Sequence, residues 1–232
     1  MSIRSISRVA AGLCGTAILA LCASTSNLQP GKAELKSAGA LAFGPDNVLF
    51  VGDTAGAAIW ALDVQDRAPA KSAGSLEVKS VNEKIAALLG TTSDQILIND
   101  TAVNPVSKNI YISVSRGRGP NATPVILRVD AAGKIAEVPL DSIAHSSVKF
   151  VDAPAASTNG RQVETITSIA YVDGNVIVAG LSNEEFSSTL RSIPYPFTGA
   201  AKGAGIQIYH GSHGRFETAA PVWGRGLGPR GL

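Results

Sequence analysis

Three polar residues of this 232-residue chain have the chemistry to hold a metal ion. Asn99 and Asp100 stand at the start of one strand-like segment, and Glu164 lies just ahead of another. Two carboxylates and an amide oxygen suit Ca²⁺, which takes several hard oxygen ligands. The alternative is that Asn99 and Asp100 cap turns or hydrogen-bond to the backbone. The sequence leaves both interpretations open.

Two arginines in the Gly-rich stretch SRGRGP (115–120) form a candidate anion site. Arg116 and Arg118 can each contact a carboxylate or phosphate through two hydrogen bonds. The stretch lacks the strand-to-helix context of a phosphate-binding loop, so solvated arginines in an exposed loop are the alternative. Glu184 is a third ligand-binding candidate, although an acid at the start of a predicted helix also stabilises the helix dipole.

The familiar catalytic patterns are absent from the sequence. It contains no G-x-S-x-G, no H-E-x-x-H and no dinucleotide-binding fingerprint. His210 and His213 lie three residues apart in a Gly-flanked turn, and His145 is the only other histidine, so a zinc site lacks further ligands. Both cysteines, Cys14 and Cys22, fall in the N-terminal apolar run. No catalytic residue is therefore assigned.

The first 26 residues have the layout of a secretory signal peptide. A short basic leader precedes an apolar run over residues 9–23, and small residues follow. This run is shorter than the ~18 residues that a membrane-spanning helix needs. We expect cleavage between Ala23 and Ser26, a periplasmic or extracellular location, and no stable membrane anchor afterwards.

The composition indicates a globular protein of strands and turns. Hydrophobic residues make up 45% of the chain, charged residues 16%, and there are 24 glycines. The net charge of +2 equals the two arginines of the basic leader, so the rest of the chain is neutral. Nucleic-acid partners are not expected, because they require a basic face.

Three similar segments follow one another near residues 39–64, 99–130 and 167–216. Each contains a short apolar strand, a turn rich in Gly, Pro, Asp or Asn, a second strand, and a third strand after a polar loop. In the last segment the third strand is assigned to IQIYH, residues 206–210. Because one small sheet cannot bury its faces alone, we predict an all-β domain over residues 27–221 made of antiparallel β-propeller blades. An unrelated β-sandwich is the alternative.

Two short helices are predicted between the strands, over residues 80–91 and 182–194. In the first helix, Ser80 and Glu83 form a capping box and Gly90 ends the helix. In the second helix, apolar residues four apart share one face, and a proline ends it.

The number of repeats predicts an incomplete propeller. Closed propellers have about four to eight blades, and the sequence supplies about three. Residues 222–232 lose the strand pattern and are rich in Gly and Arg, so we expect a disordered or aberrant tail and a truncated chain. Open blade faces would then allow self-association.

Five stretches carry a resemblance that covers roughly residues 35–221. They are ALAFGPDNVLFVGD, INDTAVNP, YISVSRGRGP, AGLSNEEFSSTLRSIPYPF and IYHGSHGRFET. With them the chain resembles a group of uncharacterised secreted bacterial β-propeller proteins and, more distantly, NHL-type and gluconolactonase-type propellers. The close resemblance implies a β-propeller fold and export from the cell, and it implies that the relatives have further blades. The distant one implies metal-dependent lactone hydrolysis.

Two functions follow as hypotheses. The first is a secreted or periplasmic β-propeller that acts as a binding or scaffold module for a protein or small molecule, without catalysis or cofactor. The alternative is a metal-dependent hydrolase of lactonase type, with Ca²⁺ near Asn99, Asp100 and Glu164.

Overall fold

The computed structural model describes residues 27–70, 76–155, 161–183, 187–205, 209–210 and 215–216. The predicted signal peptide and the predicted tail lie outside these residues. No helix of this part of the chain is long and apolar enough to cross a membrane.

The described residues form strands, one α-helix and short 3₁₀ helices. In chain order the strands are β1 (Gln29–Gly31), β2 (Leu41–Phe43), β3 (Leu49–Asp53), β4 (Ala58–Leu62), β5 (Ile96–Val103), β6 (Ile110–Arg116), β7 (Thr123–Val129), β8 (Ile135–Glu137), β9 (Ile143–Lys149), β10 (Ser168–Val172), β11 (Asn175–Leu181), β12 (Ser188–Pro194), β13 (Ala204–Gly205), β14 (Tyr209–His210) and β15 (Arg215–Phe216). The α-helix α1 spans Val81–Leu88, and the 3₁₀ helices span Pro45–Asn47, Ser93–Gln95, Gly119–Asn121 and Arg161–Glu164.

Most strands belong to three antiparallel sheets, which confirms the predicted all-β class. The first sheet has the order β1-β9-β4-β3-β2, the second β5-β6-β7-β8, and the third β10-β11-β12-β13. The strands β14 and β15 pair with each other as a short hairpin. The number of propeller blades stays a prediction.

Tight turns join the inner strand of a sheet to its neighbour, as the sequence predicts. Between β2 and β3, Asp46 and Asn47 have φ values of 52° and 59°. Between β10 and β11, Asp173 and Gly174 have φ values of 46° and 82°. Asn, Asp and Gly tolerate this left-handed region better than other residues, which explains their use here.

The helix predicted over residues 80–91 is confirmed as α1, but its predicted start is wrong. Ser80 adopts a left-handed conformation (φ 50°, ψ 46°) and its side chain makes no capping hydrogen bond, so it forms no capping box with Glu83. Gly90 ends the helix as predicted, with a φ of 63°. The helix buries Ile85 against the second sheet.

The helix predicted over residues 182–194 is wrong, because β12 occupies most of this stretch. β12 pairs with β11 along its whole length, and its residues alternate between buried and exposed from 189 to 194. This alternation escapes a hydropathy pattern because Arg191 is buried whereas Leu190 is 38% exposed. β12 is therefore the third strand of the third sheet, and the assignment of residues 206–210 to that place is also wrong.

The first sheet lies between the other two. Its strand β2 contacts both β5 and β10. An apolar cluster that includes Phe50 and Val178 joins it to the third sheet, and a cluster that includes Leu49 and Ile126 joins it to the second. The other face of the second sheet packs against α1. The first sheet is therefore buried on both faces.

The path of β9 explains why the order of the sheets in space differs from their order along the chain. After β8 the chain returns to the first sheet, where β9 pairs with β4. It then continues to the third sheet on the far side of the first. The first sheet is thus completed by residues that lie more than one repeat away in sequence.

A buried ion pair fastens the first sheet to the third. Arg191 Nη2 lies 3.0 Å from Oδ1 of Asp152, a residue that follows β9. The same guanidinium donates to the Leu181 carbonyl and lies 4.4 Å from the centre of the Phe150 ring. The Gly203 N–H donates to the second carboxylate oxygen. Burial lowers the pKa of Arg191, and the charge of Asp152 opposes that shift.

Replacing Asp152 with Ala leaves the buried guanidinium of Arg191 without its counter-ion. We expect the free energy of unfolding to fall by about 3–5 kcal/mol, measured by urea denaturation. As a control, Arg67→Ala removes the more exposed ion pair with Asp63 and should lower it by less than about 1 kcal/mol. Equal losses in the two variants would contradict the role assigned to the buried pair.

Two buried tyrosines differ in what their hydroxyl groups contact. The Tyr111 hydroxyl donates to Asp66 Oδ2 at 3.0 Å, and Ser107 and Asn109 donate to the same oxygen. The Tyr195 hydroxyl is buried and has no hydrogen-bond partner among the described residues. Burial raises the pKa of both phenols, that of Tyr195 to about 12.

The Tyr195→Phe and Tyr111→Phe variants should therefore have opposite effects. We expect the first to keep or raise the free energy of unfolding, by up to about 1 kcal/mol, and the second to lower it by about 1–2 kcal/mol. A tyrosine ionises at an ordinary pKa of 10.0 in the unfolded chain, so the wild type loses stability as the pH rises from 10 towards 12. Urea denaturation at several pH values should show a smaller alkaline loss for Tyr195→Phe. Similar losses at neutral pH would contradict the assignment.

Candidate functional site

The loops that precede the inner strands lie at the same end of the sheets as the loops that follow β3 and β6. We call this region the loop end, and it consists of residues 36–40, 54–57, 92–95, 116–122 and 161–167, including Arg116 at the end of β6. The Ala55 N–H donates to Ser37 Oγ, and Gln162 Nε2 donates to the Ala55 carbonyl. The Gly117 N–H donates to the Gln95 carbonyl. These hydrogen bonds tie neighbouring loops to each other.

A β-bulge at Asn99 sets the geometry of the predicted metal ligands. The pairing of β5 with β6 shifts between Ile98 and Asp100, which leaves Asn99 as an extra residue. Asn99 Nδ2 donates to the Ala38 carbonyl at 2.7 Å and to Ser115 Oγ at 2.9 Å. Because a bulge re-aims side chains, two successive residues of β5 both reach the segment that leads into β2.

Both carboxylate oxygens of Asp100 accept backbone hydrogen bonds. Its Oδ2 accepts the Leu41 N–H and its Oδ1 accepts the Thr101 N–H, each at 2.8 Å. Beside it, Ser113 Oγ donates to the Gly39 carbonyl at 2.6 Å. The contacts with Leu41 and Gly39 join the second sheet to the first, whereas the contact with Thr101 lies within β5. The alternative stated above, backbone hydrogen bonding by the two residues of β5, is confirmed.

Glu164 belongs to a different part of the loop end. It is the last residue of the 3₁₀ helix Arg161–Glu164, which precedes β10 of the third sheet. Asp100 lies in the second sheet, on the other side of the first. Within the described part of the chain, no group of three or more His, Cys, Asp or Glu residues is placed to hold a metal ion. The Ca²⁺ site at Asn99, Asp100 and Glu164 stays a prediction.

Arg116 of the predicted anion site is the last residue of β6, and Arg118 lies in the turn that follows; we call residues 116–122 the arginine loop. Arg116 and Arg118 are both exposed. Arg118 is held in place, because its Nε donates to the Asp94 carbonyl at 2.8 Å and its Nη2 donates to the same oxygen. Gly117 and Gly119 have φ values of 92° and 71°, which only glycine adopts without strain. The structure thus places Arg116 at the end of β6 and Arg118 two residues later, where the chain turns sharply.

The remaining sequence-predicted residues are spread over the molecule. Glu184 and His213 lie outside the described residues, and His210 lies in β14. His145 lies in β9, where its Nδ1 is 3.0 Å from the Ile143 carbonyl oxygen. The structure therefore does not test the ligand-binding prediction at Glu184.

Sequence analysis missed Asp53, a buried carboxylate at the end of β3 that orders the loop end. Its Oδ1 accepts the N–H groups of Ser37 and Gly56 at 2.8 Å each, and its Oδ2 accepts the Lys36 N–H at 2.9 Å. Trp60 Nε1 donates to the same Oδ2 at 3.3 Å. An Asp three residues before a Gly at the end of a strand is a turn pattern that could have revealed it.

No match to this chain was found among protein-family models, curated proteins or solved structures. The resemblance to secreted propeller proteins therefore stays a prediction. The interpretation of the loop end rests on its own geometry.

Replacing Asp100 with Ala removes the acceptor of the Leu41 N–H. We expect the free energy of unfolding to fall by about 1–3 kcal/mol, by the same amount with Ca²⁺ and with a chelator, if Asp100 only joins the sheets. The measurement is urea denaturation under both conditions. Asp130→Ala is a matched control, because the Asp130 carboxylate also accepts backbone N–H groups, from Ala132 and Lys134, in a turn of the second sheet. A Ca²⁺-dependent gain that only Asp100→Ala abolishes would instead establish the metal site.

Proposed function

We propose that the protein is a secreted or periplasmic binding or scaffold module of β-propeller type. Its loop end presents Arg116 and Arg118 to a ligand or partner that carries carboxylate or phosphate groups. The observation that carries this proposal is the exposure of Arg116, the last residue of β6, and of Arg118, two residues later, where Gly117 and Gly119 turn the chain.

The architecture supports the type of module. Three antiparallel sheets pack face to face, and the inner strand of the central one contacts the inner strands of both neighbours. In such a scaffold the strands are rigid, whereas the loops tolerate changes in sequence. Binding residues concentrate in these loops. The predicted signal peptide supports export.

The polar groups at and beside the loop end fall into two classes, those that accept internal hydrogen bonds and those that are exposed to solvent. The carboxylates of Asp53 and Asp100 accept backbone hydrogen bonds and hold the loops in place. The arginine loop is attached through Arg118, whose Nε and Nη2 donate to the Asp94 carbonyl, while both arginine side chains are exposed. The internal carboxylates therefore order a surface that offers positive charge to a ligand.

The carboxylate of the neighbouring Asp94 reduces the net positive charge that a ligand meets at the two arginines. Hydrogen bonds, first from the Thr92 side chain and then from Gln95, hold the pKa of Asp94 below its ordinary value. This carboxylate is thus ionised near neutral pH, and an approaching anion meets two positive charges and one negative charge. A ligand with two negative charges, such as a phosphate dianion or a dicarboxylate, gains more from this arrangement than a monocarboxylate.

The Arg116→Ala and Arg118→Ala variants test the site with inorganic phosphate and citrate as probes. We expect each substitution to weaken binding about tenfold, because each removes charge-assisted hydrogen bonds. Isothermal titration calorimetry at two salt concentrations is the measurement, and binding should weaken as salt rises.

Lys134→Ala is the control, since Lys134 is exposed in the turn between β7 and β8, away from the arginine loop. It should bind both probes as the wild type does. Equal affinity in all variants, or no binding by the wild type, contradicts a ligand role for the arginine loop.

A further inference from the structure

The first described residues of the chain form the outermost strand of the first sheet. Strand β1 pairs with β9, with Gln29 opposite His145 and Gly31 opposite Ile143. Without β1 this sheet has four strands, the same number as the second and third sheets. Strand β1 is therefore an addition to a sheet that already matches its neighbours.

Three kinds of contact hold this added strand. Its backbone pairs with the edge of β9. Just before it, Asn27 Nδ2 donates to the Phe197 carbonyl at 2.7 Å, and Leu28 packs against the cluster between the first and third sheets. Just after it, the Ala33 N–H donates to the Leu140 carbonyl at 2.8 Å. A backbone edge combined with places for particular side chains is how sheets bind extended peptides.

The added strand is also the least enclosed part of the first sheet. It has three residues, of which Gln29 and Pro30 are exposed and Gly31 is half-buried. Pro30 has no N–H to offer a further strand, which fits its place at the edge. Few buried apolar contacts and an exposed backbone are the marks of a segment that opens locally at low cost in free energy.

We propose that the outer edge of β9, together with the Phe197 carbonyl and the contact surface of Leu28, is a binding site for extended peptides. In this chain the site is occupied by residues 27–31. Its partner is an extended segment of another polypeptide in which an amide side chain precedes an aliphatic one, as Asn27 precedes Leu28. This site is separate from the arginine loop and goes beyond the function proposed above.

The experiment opens the site without removing any residue. A recognition sequence for a specific protease is inserted between Gly31 and Lys32, both of which lie outside the core, and the purified exported protein is cut there. A labelled peptide of residues 26–33 is then titrated into the cut protein, and fluorescence anisotropy measures binding. We expect the cut protein to keep its circular dichroism spectrum, to release its own segment and to bind the labelled peptide.

Three variant peptides define which contacts matter. Asn27→Ala should weaken binding about fivefold because it removes one hydrogen bond, and Leu28→Ser should weaken it about tenfold or more because it removes apolar contact. Gln29→Ala is the matched control and should bind as the original peptide does, because this side chain is exposed. Unfolding on cutting, failure of excess labelled peptide to exchange with the bound segment, or equal binding by all peptides overturns the proposal.

Discussion

The burial of the first sheet on both faces is the constraint from which the rest of the structure follows. A sheet with one apolar face needs one neighbour, whereas a sheet with two needs a neighbour on each side. Here the strand β3 sends Phe50 towards the third sheet and Leu49 towards the second. Both faces are buried only if the second and third sheets pack on opposite sides of the first. The strand β9, which pairs with β4 of the first sheet, leads the chain from the second sheet to the third.

Close packing between the sheets also requires that buried charged groups have partners. At Gly52 an added Cβ would lie 2.9 Å from Ile166 Cγ2 of the third-sheet side, so the junction has no room for larger side chains. Polar groups caught in such junctions must be paired, because an unpaired buried charge is strongly destabilising. The Arg191 guanidinium therefore has Asp152 beside it, and Asp53 collects N–H groups from the loop at residues 36–37. Of these two carboxylates, Asp53 orders the loop end, since it also accepts the Gly56 N–H.

The sequence reveals the elements of this fold better than their arrangement. The turns at Asp46 and Gly174 are predictable, because positive φ values demand particular residues. The strand β12 is not, because a buried Arg191 beside a more exposed Leu190 inverts the hydropathy pattern that prediction relies on. The pairing of β9 with β4 is also hidden, since it depends on contacts between residues far apart in sequence.

The same limit applies to the candidate site. Asn99 and Asp100 are recognisable as polar residues in an apolar strand. Their structural role, however, depends on a β-bulge, which lets both side chains hydrogen-bond to the backbone around the start of β2. Arg116 and Arg118 are recognisable because a glycine lies between them, and both are exposed, one at the end of β6 and one in the turn that follows. Local patterns therefore predict exposed groups well. Local patterns do not predict well which polar groups form hydrogen bonds between one sheet and another.

The two proposed binding surfaces rest on different physics. The arginine loop attracts charge, so its affinity falls with salt, whereas the edge of β9 offers backbone hydrogen bonds and apolar contact, which salt screens little. From β1 the chain runs through residues 32–35 to Lys36, whose N–H donates to Asp53 Oδ2 beside the loop end. Because Asp53 anchors this segment, release of β1 need not disturb the loops. The two proposed sites are therefore structurally independent of each other.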